Sequence, residues 1–125
     1  MRTFALPHMI AQAVQAAPDT SRAGGAGQVA EIVTFRLTQG SEAATLVAAA
    51  NAMTPFLDST GAFLSRTLSQ NEDGLWTDHI VWTSLEAAQE AAAQMMQQPE
   101  AAPFMTLIDP DSVTMTHAPI HHRTD

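Results

Sequence analysis

Four stretches of the chain have the composition of β-strands, and two stretches between them have the periodicity of helices. The strand-like stretches are rich in β-branched and aromatic residues and span 29–37, 62–70, 75–83 and 113–118. Apolar residues recur at the spacing of one helix face in 42–58 and again in 85–98. This order predicts an α+β domain of the split βαββαβ type, with a four-stranded antiparallel sheet and two helices on one face.

Local signals indicate where these elements begin and end. Ser41 is the predicted cap of the first helix. Pro55 removes a backbone donor inside that helix, which predicts a kink or a new short helix. The residues Asn-Glu-Asp-Gly at 71–74 predict a tight hairpin between the second and third strands. Thr83 and Glu86 fit a capping box for the second helix, and one irregular turn is expected before the last strand.

Length and composition indicate one folded domain with two appendages. A chain of 125 residues is long enough for one hydrophobic core. Residues 29–120 hold all the predicted elements, residues 1–28 are predicted to form a flexible arm, and residues 121–125 a polar tail. No apolar run reaches the ~18 residues that a membrane span needs. Polar residues and a proline interrupt the apolar run near the amino terminus, so we expect a cytoplasmic protein rather than an exported one.

Charge and the missing residue types narrow the possible chemistry. The net charge is −8, and Arg36 and Arg66 are the only basic residues between 29 and 120. This argues against nucleic acid and membranes as partners. Cys, Tyr and Lys are absent, which excludes thiolate catalysis, a phenolic acid and a Schiff-base lysine. No metal or cofactor is predicted, because the adjacent His121 and His122 lack a third ligand at suitable spacing.

Two helices on one face leave the other face of the predicted sheet uncovered. The strands are apolar enough that this face would expose a large patch to water. We therefore expect a second copy of the chain to cover it, which gives a homodimer joined through the open sheet faces.

Short motifs at the element boundaries point to a known superfamily. Phe35-Arg36-Leu37 and Gly40 precede the first helix, Gly61-Ala62-Phe63 opens the second strand, and Trp82-Thr83-Ser84 leads into the second helix. With the element order, these residues make positions 29–120 resemble the dimeric α/β-barrel (ferredoxin-like) superfamily, and within it the antibiotic-biosynthesis-monooxygenase-like proteins. The resemblance implies a dimeric barrel with a small-molecule pocket between sheet and helices, where Trp82 matches a pocket tryptophan of several relatives.

The chain also departs from the catalytic patterns of those relatives. Haem-degrading members use an Asn on the first strand and a His on the second helix, and this chain has neither in 29–37 or 85–98. Haem degradation is therefore not expected. Members that oxidise polycyclic phenols without metal or flavin use a Tyr, which this chain lacks. A cofactor-free monooxygenase remains an open alternative.

Strand alternation brings a polar and aromatic cluster to one face of the predicted hairpin. A three-residue loop places Arg66 opposite Ile80, with Asp78 diagonal to Arg66. The residues that share this face are Leu64, Arg66, Leu68, Trp76, Asp78, Ile80 and Trp82. One interpretation is a pocket whose apolar walls hold a flat ligand while Arg66 binds an anionic or developing oxyanion and Asp78 orients it. The alternative is a buried ion pair that fixes strand register.

The histidines and methionines have plainer interpretations. Alternation places His79 on the opposite face, where a dimer contact is expected. His117 is a candidate general base if its face is the helix-covered one. Methionines at 53, 95, 96, 105 and 115 are predicted to fill the core.

Two classes of function remain open from the sequence. One is a cofactor-free monooxygenase for a small aromatic or polyketide-like compound. The other is a non-catalytic ligand-binding or stress-related dimer. Whether the protein is an enzyme is not decided by its residues.

Overall fold

The order of the elements follows the predicted plan. The computed structural model describes residues 27–125, and the predicted arm at 1–28 lies almost wholly outside them. The elements are β1 (Val29–Phe35), α1 (Ala43–Ala52), α2 (Thr54–Ser59), β2 (Phe63–Gln70), β3 (Trp76–Trp82), α3 (Leu85–Met95), α4 (Ala101–Thr106), a 3-10 turn (Pro110–Ser112) and β4 (Thr114–Pro119). The strands form one antiparallel sheet in the order β2-β3-β1-β4. The predicted ferredoxin-like fold is confirmed.

The first predicted helix is divided at its proline. Helix α1 ends at Ala52, and Pro55 lies in the first turn of α2, where a missing backbone donor costs nothing. The predicted Ser41 cap is wrong. Glu42 occupies the cap position without a side-chain hydrogen bond, because the Ser41 hydroxyl is 2.6 Å from the hydroxyl of Thr38 instead.

The second predicted helix begins one residue later than the capping box implied. Ser84, not Thr83, is the cap of α3, and its hydroxyl accepts a hydrogen bond of 3.1 Å from the Ala87 amide. The stretch expected to hold an irregular turn contains the helix α4, which buries Ala101, Phe104 and Met105. Those buried side chains explain why this stretch folds into a helix despite its proline.

The hairpin between β2 and β3 has the predicted register, with Arg66 opposite Ile80. The Asn71 carboxamide oxygen accepts hydrogen bonds of 2.9 Å from the amides of Asp73 and Leu75, and Gly74 has a φ of 88°. A bulge interrupts the pairing between Phe63 and Ser65. The prediction that placed Leu64 on the face of Arg66 is therefore wrong, and Leu64 is 41% exposed.

The core lies between the sheet and the helices. Phe35 and Leu46 are fully buried in one cluster, and Leu57 and Trp82 in a second. Alternation along β1 turns Val29, Glu31, Val33 and Phe35 toward the helices. No helix within residues 27–125 is long and apolar enough to cross a membrane.

The other face of the sheet, here called the open face, is more polar than predicted. Its apolar residues are Ala30, Ile32, Val81 and Ala118. The rest are mainly hydroxyl residues around His79, namely Thr34, Ser65, Thr67, Ser69, Thr77, Thr114 and Thr116. Threonine is favoured in strands for its branched side chain, which explains how strand-like composition concealed this polarity.

Candidate functional site

A narrow cavity lies between the sheet and the helices. Its interior holds about 50 Å³ of space for water-sized spheres, which is room for a few water molecules. Twelve of its wall residues are apolar: Val33, Phe35, Met53, Leu57, Ile80, Ala92, Met95, Phe104, Met105, Ile108, Val113 and Met115. The other three are Glu31, Arg66 and Asp78. A lining of apolar residues with a few convergent polar groups is typical of a small-molecule site, whereas the volume is well below the roughly 300–1,000 Å³ usual for such sites.

Arg66 and Asp78 form a bidentate ion pair in the cavity wall. The Arg66 Nε donates to Asp78 Oδ1 over 2.9 Å, and Nη2 donates to Oδ2 over 2.7 Å. The two side chains are 11% and 7% exposed. Paired hydrogen bonds of this geometry fix the plane of the guanidinium. The contact is the one that strand alternation predicted.

Two further contacts hold the guanidinium from the helix side. Its Nη1 donates to the carbonyl oxygen of Ala50 over 3.3 Å, in the last turn of α1, where the same oxygen also accepts a hydrogen bond of 3.1 Å from the Met53 amide. The ring of Phe104 lies beneath it, with 5.1 Å between the Arg66 Cζ and the ring centroid. Sequence reasoning missed Phe104, because only an irregular turn was expected in the stretch that forms α4.

A second buried pair adjoins the cavity. Glu31 and His117 are directly opposite on β1 and β4, and His117 Nε2 is 3.4 Å from Glu31 Oε1. Their side chains are 7% and 1% exposed. His117 therefore lies on the helix-covered side, the condition under which it was a candidate base. Glu31 lines the cavity and was missed, although alternation from Phe35 through Val33 would have found it.

The remaining predicted site residues lie at different depths. Ile80 lines the cavity, whereas Trp76 and Trp82 are buried but do not line it. Trp76 is stacked on the wall residue Phe35, its partner across β1 and β3, with ring centroids 6.5 Å apart. Neither indole N–H of the two tryptophans has an acceptor in the part of the chain that the structure describes. Leu64 lies outside the cavity, because the bulge in β2 leaves it exposed.

The other predicted roles are also placed by the structure. His79 lies opposite Ile32 on the open face. Four of the five methionines predicted to fill the core also line the cavity, and the fifth, Met96, is 44% exposed. Between residues 27 and 125, no three His, Asp or Glu side chains lie close enough together to hold a metal ion.

The fold and the cavity define this chain as a ferredoxin-like α+β protein with a candidate small-molecule site. Solved structures with the same fold are antibiotic-biosynthesis-monooxygenase-like proteins. SnoaB, a cofactor-independent oxygenase from Streptomyces nogalater, is 22% identical over 80% of this chain and 97% of its own, with a TM-score of 0.58. A candidate antibiotic biosynthesis monooxygenase from Bordetella bronchiseptica is 15% identical over 74% and 95% of the two chains, with a TM-score of 0.63. The resemblance stated from the motifs is confirmed at the level of the fold.

A third structure shows how widely the chemistry of this fold varies. A hydroxynitrile lyase from Passiflora edulis is 10% identical over 80% of this chain and 99% of its own, with a TM-score of 0.57. No protein-family model and no curated protein sequence matches the chain. Because oxygenases and a lyase share the fold, function must be argued from the residues of the cavity.

Proposed function

We propose that the protein binds a small aromatic or polyketide-like compound in the cavity, through an anionic or strongly polarised oxygen that Arg66 holds. The observation that carries this proposal is the buried guanidinium in a mostly apolar wall. Asp78, Ala50 and Phe104 fix its position. Its further N–H groups have no acceptor among residues 27–125. A ligand oxygen supplies that acceptor.

The size of the cavity favours a single-ring ligand. Space of about 50 Å³ is smaller than the roughly 150 Å³ of a cavity that binds benzene, so even one ring requires the walls to move apart, and a polycyclic compound requires far more. Met53, Met95, Met105 and Met115 form much of the wall, and their unbranched side chains adjust to a guest more readily than branched ones. The proposed ligand is therefore one flat ring with an acidic or carbonyl oxygen.

The proposed assembly is a homodimer, with the two open faces packed together. Ala30, Ile32 and Val81 are the apolar residues at the centre of that face, and half-buried Ile32 lies opposite His79. This apolar centre and its hydroxyl surround match the mixed composition of a protein interface. In such a dimer both cavities remain on the helix-covered sides.

Two activities are compatible with this site. Cofactor-free oxygenation is supported by the fold shared with SnoaB and by buried groups that bind an oxyanion. Non-catalytic ligand binding is supported by the absence of Tyr from the sequence, since relatives that oxidise phenols use one. We favour the enzyme, because Glu31 and His117 add a proton-transfer group to a site that binding alone does not require.

Binding is tested by titrating the protein with 4-nitrophenol and following the fluorescence of Trp76 and Trp82, its only tryptophans. The parent should show saturable quenching. The double variant Arg66→Met with Asp78→Leu replaces the ion pair by apolar side chains of similar size. It should remain folded and lose the quenching. Arg36→Ala, which removes an exposed arginine, should quench like the parent, and N-acetyltryptophanamide corrects for light absorbed by the probe. Equal saturable quenching in a folded double variant would contradict the role of Arg66.

A further inference from the structure

We propose that Glu31 is the catalytic base of the cavity, that His117 positions it, and that the substrate is a compound with an acidic C–H next to a carbonyl or an equivalent polarised group. This inference rests on the proposed function, because Arg66 must hold the substrate oxygen. It adds a proton acceptor and a class of substrate.

The position of Glu31 is unusual for a carboxylate. It lies in the middle of the central strand β1, turned toward the helices, and is 5% exposed. A buried carboxylate without a full set of partners is expensive in free energy, and an apolar residue at this site would pack against the core at no such cost. Among residues 27–125 its side chain makes one hydrogen bond, a long one of 3.4 Å between Oε1 and His117 Nε2. Oε2 has no hydrogen-bond partner among these residues, so this oxygen is available to a guest.

His117 contacts the Glu31 carboxylate and does not itself line the cavity. It is paired with Glu31 across β1 and β4, and its side chain is 1% exposed. A proton on Nε2 lets it donate to Oε1 and hold the carboxylate plane toward the cavity. Catalytic hydrogen bonds are often long in the free enzyme and shorten in the complex with substrate, and we expect the same of this contact.

Glu31 and Arg66 have different roles in one proton-transfer step. The C–H bond of the substrate breaks, its proton passes to the Glu31 carboxylate, and its electron pair forms the C=C bond of an enolate. The carbonyl π electrons move to oxygen, where the Arg66 guanidinium stabilises the negative charge. Asp78 keeps that guanidinium in plane. The step is redox-neutral and needs no cofactor.

The surroundings make the base easy to isolate experimentally. The titratable groups in or behind the cavity wall are Glu31, Asp78, Arg66 and His117, and the helices contribute apolar side chains only. Asp78 is engaged through both oxygens by Arg66. Glu31 is therefore the cavity carboxylate that has an oxygen available to a substrate.

The test uses 5-nitrobenzisoxazole, a flat carbon acid whose ring opens to a coloured phenolate when a base removes its proton. In this reaction the C–H bond and the N–O bond break, a nitrile forms, and the leaving oxygen takes the charge. The full chain should accelerate this reaction above buffer, and Glu31→Gln should lower the rate by roughly 100-fold. Glu72→Gln, which removes the same charge from the exposed hairpin turn, should remain within about twofold of the parent.

The pH profile and the His117 variants separate catalysis from a structural role. The parent rate should fall at acidic pH, and this fall should be absent from Glu31→Gln. His117→Gln retains an N–H donor near the Nε2 position and should keep much of the rate, whereas His117→Leu should lose roughly tenfold. If Glu31→Gln does not fold, Glu31→Asp provides the test. Its carboxylate is shorter, so the rate should be lower than in the parent and should still fall at acidic pH.

The outcomes distinguish this inference from the proposed function. A parent that binds the probe, seen as tryptophan quenching, but does not accelerate its reaction contradicts the assignment of Glu31. Equal rates in the parent and in folded Glu31→Gln contradict it too. A parent that binds neither this probe nor 4-nitrophenol overturns the proposed function itself, and with it the inference.

Discussion

The two faces of the sheet come from the same strands but have different chemistry. The helix-covered face contains both ion pairs, Arg66 with Asp78 and Glu31 with His117, and all four side chains are about nine-tenths buried or more. The open face holds mainly hydroxyl groups around His79. Hydroxyls bond equally well to water or to a second protein surface, whereas buried charges require partners fixed in advance. This difference supports our proposals of a ligand site on the covered face and of association through the open face.

The largest expected effect is on the covered face. Arg66→Ala should destabilise the domain by about 3 kcal/mol, because it leaves Asp78 buried without its partner. The double variant Arg66→Met with Asp78→Leu should recover much of that loss. Unfolding in urea, monitored by circular dichroism, measures both changes. If the losses of stability in the single variants Arg66→Met and Asp78→Leu add up to the loss in the double variant, the two residues are not coupled.

Arg36 provides the control for this comparison. Its guanidinium donates to the Asp73 carbonyl oxygen over 2.7 Å at the exposed hairpin turn. Arg36→Ala should therefore change the stability by less than about 1 kcal/mol. A loss as large as that of Arg66→Ala would mean that burial does not distinguish the two arginines.

An intermediate effect is expected on the open face. In a symmetric dimer His79→Glu brings two carboxylates toward one interface, so the dissociation constant should rise at least roughly tenfold. Thr106→Glu adds the same charge to the exposed end of α4 and should leave the dissociation constant unchanged. Light scattering across a dilution series measures the association. A monomeric parent at micromolar concentration would remove the homodimer from the account.

The smallest effect is expected from the amino-terminal residues. Their composition predicts that the domain folds without them, so deletion of residues 1–26 should shift the melting temperature by only a few degrees. Differential scanning calorimetry of the shortened chain provides the measurement. Failure of that chain to fold would show that these residues are part of the domain or of its dimer contact.

The sequence predicts the fold well because periodicity and turn chemistry act locally. The Asp-Gly turn set the hairpin register, and that register was enough to predict the contact between Arg66 and Asp78. The face of Leu64 was predicted wrongly, because the pattern of residues along β2 does not reveal the bulge that shifts the register between Phe63 and Ser65. The caps were wrong by one residue at each helix, since neighbouring Ser, Thr and Glu residues compete for the same role.

The candidate site could be predicted only in part, because it is assembled from distant segments. Glu31 contacts His117 on a neighbouring strand that lies 86 residues away in the sequence. Phe104 contacts Arg66 from a short helix with weak sequence signals. The tryptophans seemed to be pocket walls because they share a strand face with Asp78. Alternation gives the face of a residue but not its distance from the cavity: Trp76 packs against the wall residue Phe35 without lining the cavity itself.

The central claim is that a small ring binds between sheet and helices with its oxygen on Arg66. A crystal structure of the full chain soaked with 4-nitrophenol tests this claim most directly. The account predicts density for the ring among the cavity methionines, with the phenol oxygen within hydrogen-bond distance of the Arg66 guanidinium. A ring bound on the open face, or a cavity that remains empty while the compound quenches fluorescence in solution, would contradict it.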